Sequence, residues 1–595
     1  MEATDNRHLA EHTLPAIALL GLLVWTVLQP VEAGWSGADA LLARAVPIVG
    51  TAGAAIALWR RGFLCLSPTD RLIGVWLLAV LLRVWLDDGY PCHTFVLRTL
   101  LMAALYTALR LFFTAVPADG RWLAAAVILC AAWEALLGMR QCAGGGSRHH
   151  MYLMTGTFQN PGPYALLPAM GVVMCAQWMA GAGPRLRRLL WMPLLLCAAV
   201  LPATWSRAAW VAAAAGLAAV MRRRWWRWRW PLAALALAAA AALYLMKQGS
   251  ADGRALIYSM SLRSMAQHPW LGSGTGSFFH QYATQMAATV QQTVPAGYDS
   301  AGVPEYAFNE LLRIGVEQGL TGMLMAVAVA ASVTWRLWRR CRPLAVGTVA
   351  MMVFAMFSYP LALLPYQIIV VTMAAWAGTK QPVTYAGSDT APSLNGRAGG
   401  GSSDQKKSGG RPWAILPAAL LPVALALPLA GAIREHRQAE QDYGMMAGMR
   451  DRAFTDDYYR LLPMLGDNPR FLFDFGKMLS EQERWNDSNA ILRQGERVSA
   501  DPMFLVVQGN NYRAMKAWAE AEAMYRRAFC IQPNRLYPLY RLMLLYEEAG
   551  QEDRMRDMAR TILDFRPKVE SPATREMKEQ ARRRLRASDR PGVRV

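Results

Sequence analysis

Three arginines in two stretches of the chain are of a type and in a setting that could bind an anionic group. Arg207 lies in TWSRAAW at 204–210, between two apolar runs, and Arg254 and Arg263 follow in a polar segment. An arginine beside a hydrocarbon layer is costly unless it meets an anion, so each is a candidate anion-binding residue. The alternative for Arg207 is that its side chain only extends toward lipid headgroups.

Two further motifs lie close in sequence to these arginines. The turn GSGTGSF at 272–278 includes Gly274, and glycines let backbone N–H groups approach an oxyanion. The segment PEYAFNELLRIGVEQGLTG at 304–322 carries the polar residues Glu305, Asn309, Glu310, Arg313 and Glu317. Each motif is weak alone, because glycine-rich turns are common and the second segment also fits an ordinary capped, solvated helix start.

The elements that must position these residues are membrane-spanning helices. Hydrophobic residues make up 54% of the 595 positions and charged residues only 17%, and a globular core cannot hide so many apolar runs of about 20 residues. We predict an all-α, polytopic membrane bundle of about twelve spans plus one. The predicted spans lie near 14–30, 40–59, 71–87, 94–116, 121–140, 162–182, 189–205, 208–221, 230–246, 313–336, 343–364, 366–379 and 412–433.

Basic clusters fix the predicted orientation of this bundle. Arginines follow the second, sixth, eighth and tenth spans, at 60–61, 185–188, 222–229 and 336–342. All four clusters therefore lie on one face, which the positive-inside bias makes cytoplasmic. The N-terminus is then cytoplasmic, and a large loop at 247–312 lies outside together with Arg207. The net charge of +20 belongs largely to such clusters, so we expect no nucleic-acid partner.

The rest of the chain divides into three predicted parts after a membrane domain at 1–379. Residues 380–411 are rich in Gly, Ser and Lys and predict a flexible cytoplasmic linker. Residues 412–433 predict an additional transmembrane helix, which places 434–595 outside the cytoplasm. In that last part, Pro469, Pro502, Pro533 and Pro567 are separated by 33, 31 and 34 residues.

That spacing is typical of tetratricopeptide repeats, each a helical hairpin of about 34 residues that stacks on its neighbours. Small and aromatic residues at packing positions support this prediction; in the middle unit they are Gly509, Tyr512, Ala521, Tyr525 and Ala528. A generic helical bundle is the alternative. Such arrays bind partners on a concave surface, so we expect a protein partner there.

The order of four motifs resembles the O-antigen ligase and O-antigen polymerase superfamily. The motifs are TGTFQNPGPYA at 155–165, SRAAW, the stretch from Arg254 to GSGTGSF, and FNELLRIGVEQGLTG. The resemblance covers roughly residues 10–380. It implies a metal-independent glycan transferase of the bacterial inner membrane, active in lipopolysaccharide biosynthesis without a cofactor. The donor would be a glycan on undecaprenyl diphosphate at the periplasmic face, and the repeat domain would also be periplasmic.

The resemblance also implies roles for individual residues. An acceptor hydroxyl attacks the anomeric carbon and the diphosphate leaves, so fixed cations are needed for its charge. Arg207 and Arg254 match the family's arginines. We predict Arg207, Arg254, Asn309 and Glu305 as catalytic residues, and Arg263, Asn160, Gly274 and Glu317 as substrate-binding residues.

One position departs from the family pattern. Many relatives carry a histidine immediately before the asparagine of the last motif, where this chain has Phe308. Glu305 could accept the proton instead, the good leaving group could make a base unnecessary, or the chain could be impaired in catalysis. The acceptor stays open among lipid A core, a growing glycan and a protein hydroxyl, which correspond to a ligase, a polymerase and a protein O-oligosaccharyltransferase.

Two functions of other classes remain as alternatives. A transporter for a lipid-linked sugar would show intramembrane charges around a cavity and internal repeats of the span pattern, which we do not find in the sequence. A non-catalytic assembly scaffold would use only the repeat domain. In that case, replacing Arg207 or Arg254 would leave glycan transfer intact.

Overall fold

The computed structural model describes most of the chain. The described residues are 2–31, 34–59, 66–86, 90–116, 118–149, 151–221, 248–295, 297–304, 306–379, 415–449, 455–567 and 570–588. They form helices and connecting segments without a β-strand, which confirms the all-helical fold class. The predicted span at 230–246, the linker at 380–411 and the candidate base Glu305 lie outside the described residues.

The described residues up to 221 form nine helices. They are α1 (Glu2–Val27), α2 (Gly37–Trp59), α3 (Pro68–Leu86), α4 (His93–Ala115), α5 (Gly120–Gly144), the single turn α6 (Pro161–Tyr164), α7 (Leu166–Met179), α8 (Pro184–Ala203) and α9 (Arg207–Met221). Small residues allow close packing among them. At Gly53, an added Cβ would lie 2.7 Å from the Phe112 backbone nitrogen, so glycine lets α2 lie directly against α4.

The described residues between 248 and 378 form six further helices. They are α10 (Gln248–Gln267), α11 (Phe278–Gln292), the single turn α12 (Tyr298–Ala301), α13 (Glu310–Arg340), α14 (Arg342–Ala355) and α15 (Leu364–Gly378). A 3-10 turn at Pro360–Ala362 connects α14 to α15. The predicted loop at 247–312 is therefore itself largely helical.

Several of these helices suit a membrane. Five described helices are long and apolar enough to cross one, namely α2, α4, α5, α8 and α13. Shorter apolar helices lie in α1, α9, α14 and α15. Large apolar side chains face outward from the bundle, including Leu78, Trp85, Leu129, Trp133 and Leu189. A water-soluble surface rarely carries so many, so the bundle is of the multi-pass membrane type, while the number and direction of its crossings stay predictions.

The C-terminal part begins with one long helix and continues as helical pairs. Helix α16 (Ile415–Met449) packs against α2 and α4 and extends past the predicted thirteenth span. The helices after it are α17 (Thr455–Leu465), α18 (Pro469–Glu481), α19 (Trp485–Val498), α20 (Met503–Ala514), α21 (Trp518–Ile531), α22 (Tyr537–Glu548), α23 (Glu552–Asp564) and α24 (Pro572–Ser588).

A structural period runs through these C-terminal helices. The turns between α18 and α19, α20 and α21, and α22 and α23 each contain a residue in the left-handed conformation, at Glu483, Lys516 and Gly550 respectively. At Gly509 an added Cβ would lie 2.5 Å from the Tyr525 ring, so the two helices of this pair pack closely at a small residue. This period supports the tetratricopeptide-like interpretation, which stays a prediction.

Two apolar clusters show how the parts are joined. One cluster fills the bundle formed by α1 to α9 together with α13 to α16. A second cluster combines α10 and α11 with the C-terminal helices. Its buried members include Ile257, Met260, Tyr282, Met286, Ala521 and Tyr525. Since α11 packs directly on α21 and α19, the C-terminal helices share a core with the segment that follows Arg254.

A buried ion pair joins α3 to α4 in the bundle. The Arg110 guanidinium donates from Nε and Nη2 to the two carboxylate oxygens of Asp70, both at 2.8 Å. The Tyr106 hydroxyl donates to the same carboxylate. The side chains of Asp70 and Arg110 are only 6% and 5% exposed. Removing one charge would therefore leave the other buried, with neither its ion-pair partner nor water to stabilise it.

We expect Asp70→Ala to lower the free energy of unfolding by about 3–5 kcal/mol, because Arg110 would remain buried and charged without its partner. The measurement is thermal unfolding of the purified protein in detergent. Asp557→Ala is the matched control, because Asp557 pairs with Arg560 on the surface and such exposed pairs contribute about 0–1 kcal/mol. Equal melting temperatures for the two variants would contradict this account of the pair.

Candidate functional site

Arg207 is the first residue of α9 and follows a strained turn. Trp205, two residues earlier, has φ +50° and is exposed. A bulky residue in the left-handed region is unfavourable, and such strain persists only where the surrounding structure holds it. Hydrogen bonds of the Thr204 hydroxyl to the Leu201 carbonyl and of the Trp210 indole to the same carbonyl close this turn. The turn thus fixes where α9 begins and, with it, the position of Arg207.

Arg254 lies on α10 and is half-buried. Its Nη1 donates to the Phe357 carbonyl at 3.1 Å, and its guanidinium lies 5.2 Å from the centre of the Phe308 ring. Burial lowers the pKa of the Arg254 guanidinium, and the nearby positive charge of Arg207 lowers it further. Two arginines that are 47 positions apart in sequence therefore lie close enough for their charges to repel each other.

Aromatic side chains surround the Arg254 guanidinium. Tyr258, one helical turn after Arg254, donates its hydroxyl to the Phe308 carbonyl at 2.9 Å and to the Met356 carbonyl at 3.2 Å. Tyr306 and Tyr359 stack in parallel with their ring centres 3.6 Å apart, and Phe308 packs edge-on against Tyr359. The sequence analysis did not select these three tyrosines. Only the four-residue spacing of Arg254 and Tyr258 could have indicated one of them.

Phe308 has an unusual backbone. Its φ is +52°, so it is a second bulky residue in the left-handed region beside a predicted site residue. The conformation turns its carbonyl toward Tyr258 and its ring toward Arg254. A phenylalanine ring cannot accept a proton, but its face attracts a guanidinium, so this position contributes to holding Arg254.

Asn309 caps the helix that starts after Phe308. Its Oδ1 accepts the Leu312 backbone N–H at 3.0 Å, which satisfies a free donor at the start of α13. Asn160 has the same kind of role at α6, where its Oδ1 accepts the Gly162 N–H at 2.8 Å. Both amides thus have structural partners for their oxygens. Their roles in catalysis and substrate binding stay predictions.

Glu317 belongs to a buried ion-pair network on α13. Arg313 donates from Nε to Glu310 at 3.1 Å and from Nη1 to Glu317 at 3.2 Å, and both carboxylates are buried. Glu310 also accepts the Leu361 backbone N–H at 3.0 Å, which ties α13 to the turn between α14 and α15. The alternative of an ordinary solvated helix start therefore does not fit Glu310 and Glu317, because both side chains are buried.

The glycine-rich turn packs against α13. The N–H groups of Ser273 and Gly274 donate to the carbonyls of Val316 and Glu317, at 2.8 and 3.1 Å. These carbonyls are available because α13 is kinked at Gly319, whose φ is +66°.

These contacts differ from the expectation that the turn presents its N–H groups to an oxyanion. Two of these N–H groups, those of Ser273 and Gly274, donate to α13 in this conformation. The glycines instead permit close approach, since a Cβ at Gly272 would lie 2.4 Å from the Glu317 backbone carbon. Substrate binding by Gly274 and Glu317 stays a prediction that these contacts do not favour.

The fold does not place Arg263 beside Arg207 and Arg254. It follows Arg254 by nine residues on α10, which is two and a half turns, so the two side chains leave opposite faces of the helix. Arg263 is exposed and donates to the Thr289 hydroxyl of α11 at 2.7 Å. Its predicted role beside Arg254 is therefore not supported by its position.

Two side chains of α5 hold the TGTFQNPGPYA segment in place. Glu134 accepts the Thr157 hydroxyl and backbone N–H at 2.7 and 3.1 Å. Gln141 accepts the N–H groups of Thr155 and Gly156 and donates to the Gly156 carbonyl at 2.9 Å. Both side chains are buried, so this segment has one fixed course before α6.

Among the described residues, no group of three or more His, Cys, Asp or Glu side chains is arranged to hold a metal ion. Metal independence of the reaction stays a prediction. The positive charge that the described residues bring together comes from Arg207 and Arg254.

Comparison with known proteins agrees with the motif order. Residues 192–327 match the family model described as O-antigen ligase. This region contains Arg207, Arg254, Phe308 and Asn309, but neither the TGTFQNPGPYA segment nor the C-terminal helices. No curated protein matches the chain. The family match supports a glycosyltransferase-type membrane enzyme related to O-antigen ligases and polymerases.

Proposed function

We propose that this protein transfers a glycan from a polyprenyl-diphosphate carrier to an acceptor hydroxyl at the periplasmic face of the bacterial inner membrane. The observation that carries the proposal is the electrostatic interaction between Arg207 and Arg254. They lie on helices that are separated in sequence, and the charge of one lowers the pKa of the other. The family match over residues 192–327 supports the reaction class.

Electrostatics explains why a diphosphate suits this pair. Two guanidinium groups held close together repel each other, and an anion with two negative charges would compensate both. The planar guanidinium binds phosphate oxygens in a bidentate manner and stays protonated, so it suits a leaving group whose charge increases in the transition state. The partial burial of Arg254 strengthens this effect because less water competes for the charge.

The positions of Arg207 and Arg254 along their helices support a site at the end of the bundle opposite the basic clusters. Arg254 and Phe308 lie near the start of α13, whereas Arg336, Arg339 and Arg340 lie at its end. The part of α13 that follows the kink at Gly319, residues 320–340, is about 31 Å long at 1.5 Å per residue, enough to cross a hydrocarbon layer of about 30 Å. If the basic end is cytoplasmic, the site lies at the periplasmic surface.

The acceptor side of the reaction involves a proton as well as a bond. The acceptor oxygen forms a bond to the anomeric carbon, the bond from that carbon to the diphosphate oxygen breaks, and the hydroxyl proton must leave. In this chain Phe308 cannot take the proton. Glu305 lies three residues before Phe308 and is the candidate base, with assistance by the good leaving group as the alternative.

For the acceptor we propose a ligase reaction first, with lipid A core as the acceptor. A growing glycan, as in a polymerase, and a protein hydroxyl, as in a protein O-oligosaccharyltransferase, are the alternatives. The C-terminal helices favour a macromolecular partner, because they share a core with α11 and so lie beside the proposed site. The glycan profile of a strain that lacks the gene separates these cases: a ligase defect removes long chains from the lipid anchor, whereas a polymerase defect leaves single repeat units on it.

We expect Arg207→Gln and Arg254→Gln each to lower kcat/KM for glycan transfer at least about tenfold, which corresponds to about 1.4 kcal/mol of transition-state stabilisation. The reason is the loss of one fixed charge on the departing diphosphate. The measurement is transfer by the purified protein in liposomes from a lipid-linked donor. Wild-type rates in both variants would leave only a scaffold function.

Two controls accompany this measurement. Arg535→Gln removes an exposed arginine of the C-terminal helices and should keep the wild-type rate. Arg263→Gln removes the same charge from the opposite face of α10, and we expect a change of less than about threefold, the scale of a surface substitution. A loss with Arg263→Gln as large as that with Arg254→Gln would show that the substrate extends around the helix.

We expect Glu305→Gln to lower kcat at least about tenfold while KM for the donor stays close to wild type, since general-base catalysis contributes about 10²–10⁴-fold. The measurement is the pH profile of turnover. Loss of the acidic limb of that profile in the variant supports the role of Glu305 as base. An unchanged profile would instead favour a reaction that the leaving group drives without a base.

A further inference from the structure

A short turn directly after α10 presents two large apolar side chains on the surface. Trp270 and Leu271 belong to the segment HPWLG at 268–272 and are 66% and 59% exposed. The Gly272 N–H donates to the His268 carbonyl at 3.1 Å, so the turn is closed by its own backbone. Neighbouring large apolar side chains held outward in this way are unfavourable in water, which suggests that this surface is covered by something apolar.

The HPWLG turn is bonded to the kink of α13. The Leu320 N–H donates to the Pro269 carbonyl at 2.8 Å, and the Thr321 hydroxyl donates to the Trp270 carbonyl at 2.9 Å. At Gly319, an added Cβ would lie 2.4 Å from the Trp270 carbonyl oxygen, so glycine permits this close approach. The turn therefore caps the part of α13 that follows the kink, because its carbonyls accept donors at the start of that part.

The capped part of α13 has an apolar and exposed face. Leu320, Leu324 and Val327 are all exposed and follow each other at spacings of four and three residues, which places them on one side of the helix. The sequence has no charged residue from 320 to 335. Such a face on a helix of spanning length is typical of contact with lipid. Trp270 and Leu271 lie beside the first residue of this face.

Helix α10 is attached near both of its ends to the same end of the bundle. Arg254, near the start of α10, donates to the carbonyl of Phe357, just after the end of α14. The HPWLG turn at the other end of α10 is bonded to α13. Because α14 packs against α13 and begins where α13 ends, the last residues of α14 lie at the end of the bundle where α13 begins. Helix α10, about 30 Å long, therefore lies across this end of the bundle.

We infer that the HPWLG turn is a membrane anchor, in which Trp270 and Leu271 enter the headgroup layer and contact lipid beside α13. A tryptophan suits this layer because its large apolar ring carries one N–H group that can donate to polar headgroups. The leucine side chain extends the apolar face of α13 by one contact. The bilayer then holds α10, which carries Arg254, along the membrane surface. This inference concerns contact with lipid and does not depend on the proposed reaction.

The test measures the surroundings of position 271 in the full-length protein in phospholipid liposomes. p-Azidophenylalanine replaces Leu271 and receives a nitroxide by cycloaddition, so the eight native cysteines stay in place. Electron paramagnetic resonance then compares collisions with oxygen, which partitions into lipid, and with a neutral nickel chelate that stays in water. We expect collisions with oxygen to exceed those with the nickel chelate.

Two positions of equal exposure calibrate this measurement. Leu324 on α13 and Met445 on α16 are both 60% exposed. The label at Leu324 gives the value in lipid, and the label at Met445, well beyond the predicted span at 412–433, gives the value in water. Position 271 should resemble Leu324. Resemblance to Met445, or access by neither reagent, would overturn the inference, because the turn would then lie in water or under protein.

The same azide identifies what lies against the turn. Irradiation before the cycloaddition links the side chain to its neighbours, and mass spectrometry reports the products. We expect phospholipid adducts at positions 271 and 324 and none at 445. A crosslinked dimer at position 271 without lipid adducts would assign the turn to a contact between two copies of this chain and overturn the inference. Melting temperatures equal to that of the wild type check that the three labelled variants are folded.

Discussion

The repulsion between Arg207 and Arg254 is the constraint around which the described site is organised. Like charges in a partly buried place separate unless the surrounding structure holds them. Here, different local contacts position the two arginines. Arg207 starts a helix after a strained turn at Trp205, and Arg254 is held by the Phe357 carbonyl and the Phe308 ring. In the proposed function, an anion bound between the two arginines would relieve their repulsion.

The turn between α14 and α15 contributes contacts to both α10 and α13. Its first residues offer carbonyls to Arg254 and Tyr258, and Leu361 donates its N–H to Glu310. Helices α10 and α13 are thereby joined through a third segment. Since Glu310 also pairs with Arg313, a change in this turn would act on the arginine site and on the ion-pair network of α13 together. The C-terminal helices reach the same region through α11, which shares their apolar core.

Phe308 differs in one way from what the resemblance leads us to expect, which is a histidine at this position. Its ring attracts cations but cannot exchange protons, and it lies 5.2 Å from the Arg254 guanidinium. Tyr258 donates to the Phe308 carbonyl, and Tyr359 packs against both Phe308 and Tyr306. An aromatic ring attracts a guanidinium without neutralising its charge. In the proposed reaction, the acceptor proton must then go to another residue or to the leaving group.

The sequence by itself determined the helical class, the approximate helix boundaries and the candidacy of Arg207 and Arg254. Those properties depend on local composition: apolar runs of span length, and arginines placed beside them. The tertiary structure decided which candidates meet. Arg263 shares a helix with Arg254 but leaves its opposite face, Gly274 gives its N–H to α13, and Glu317 is buried against Arg313. Tyr258, Tyr306 and Tyr359 join the site although no motif marked them, because proximity across helices depends on how α10, α13 and α14 pack, which no local spacing records.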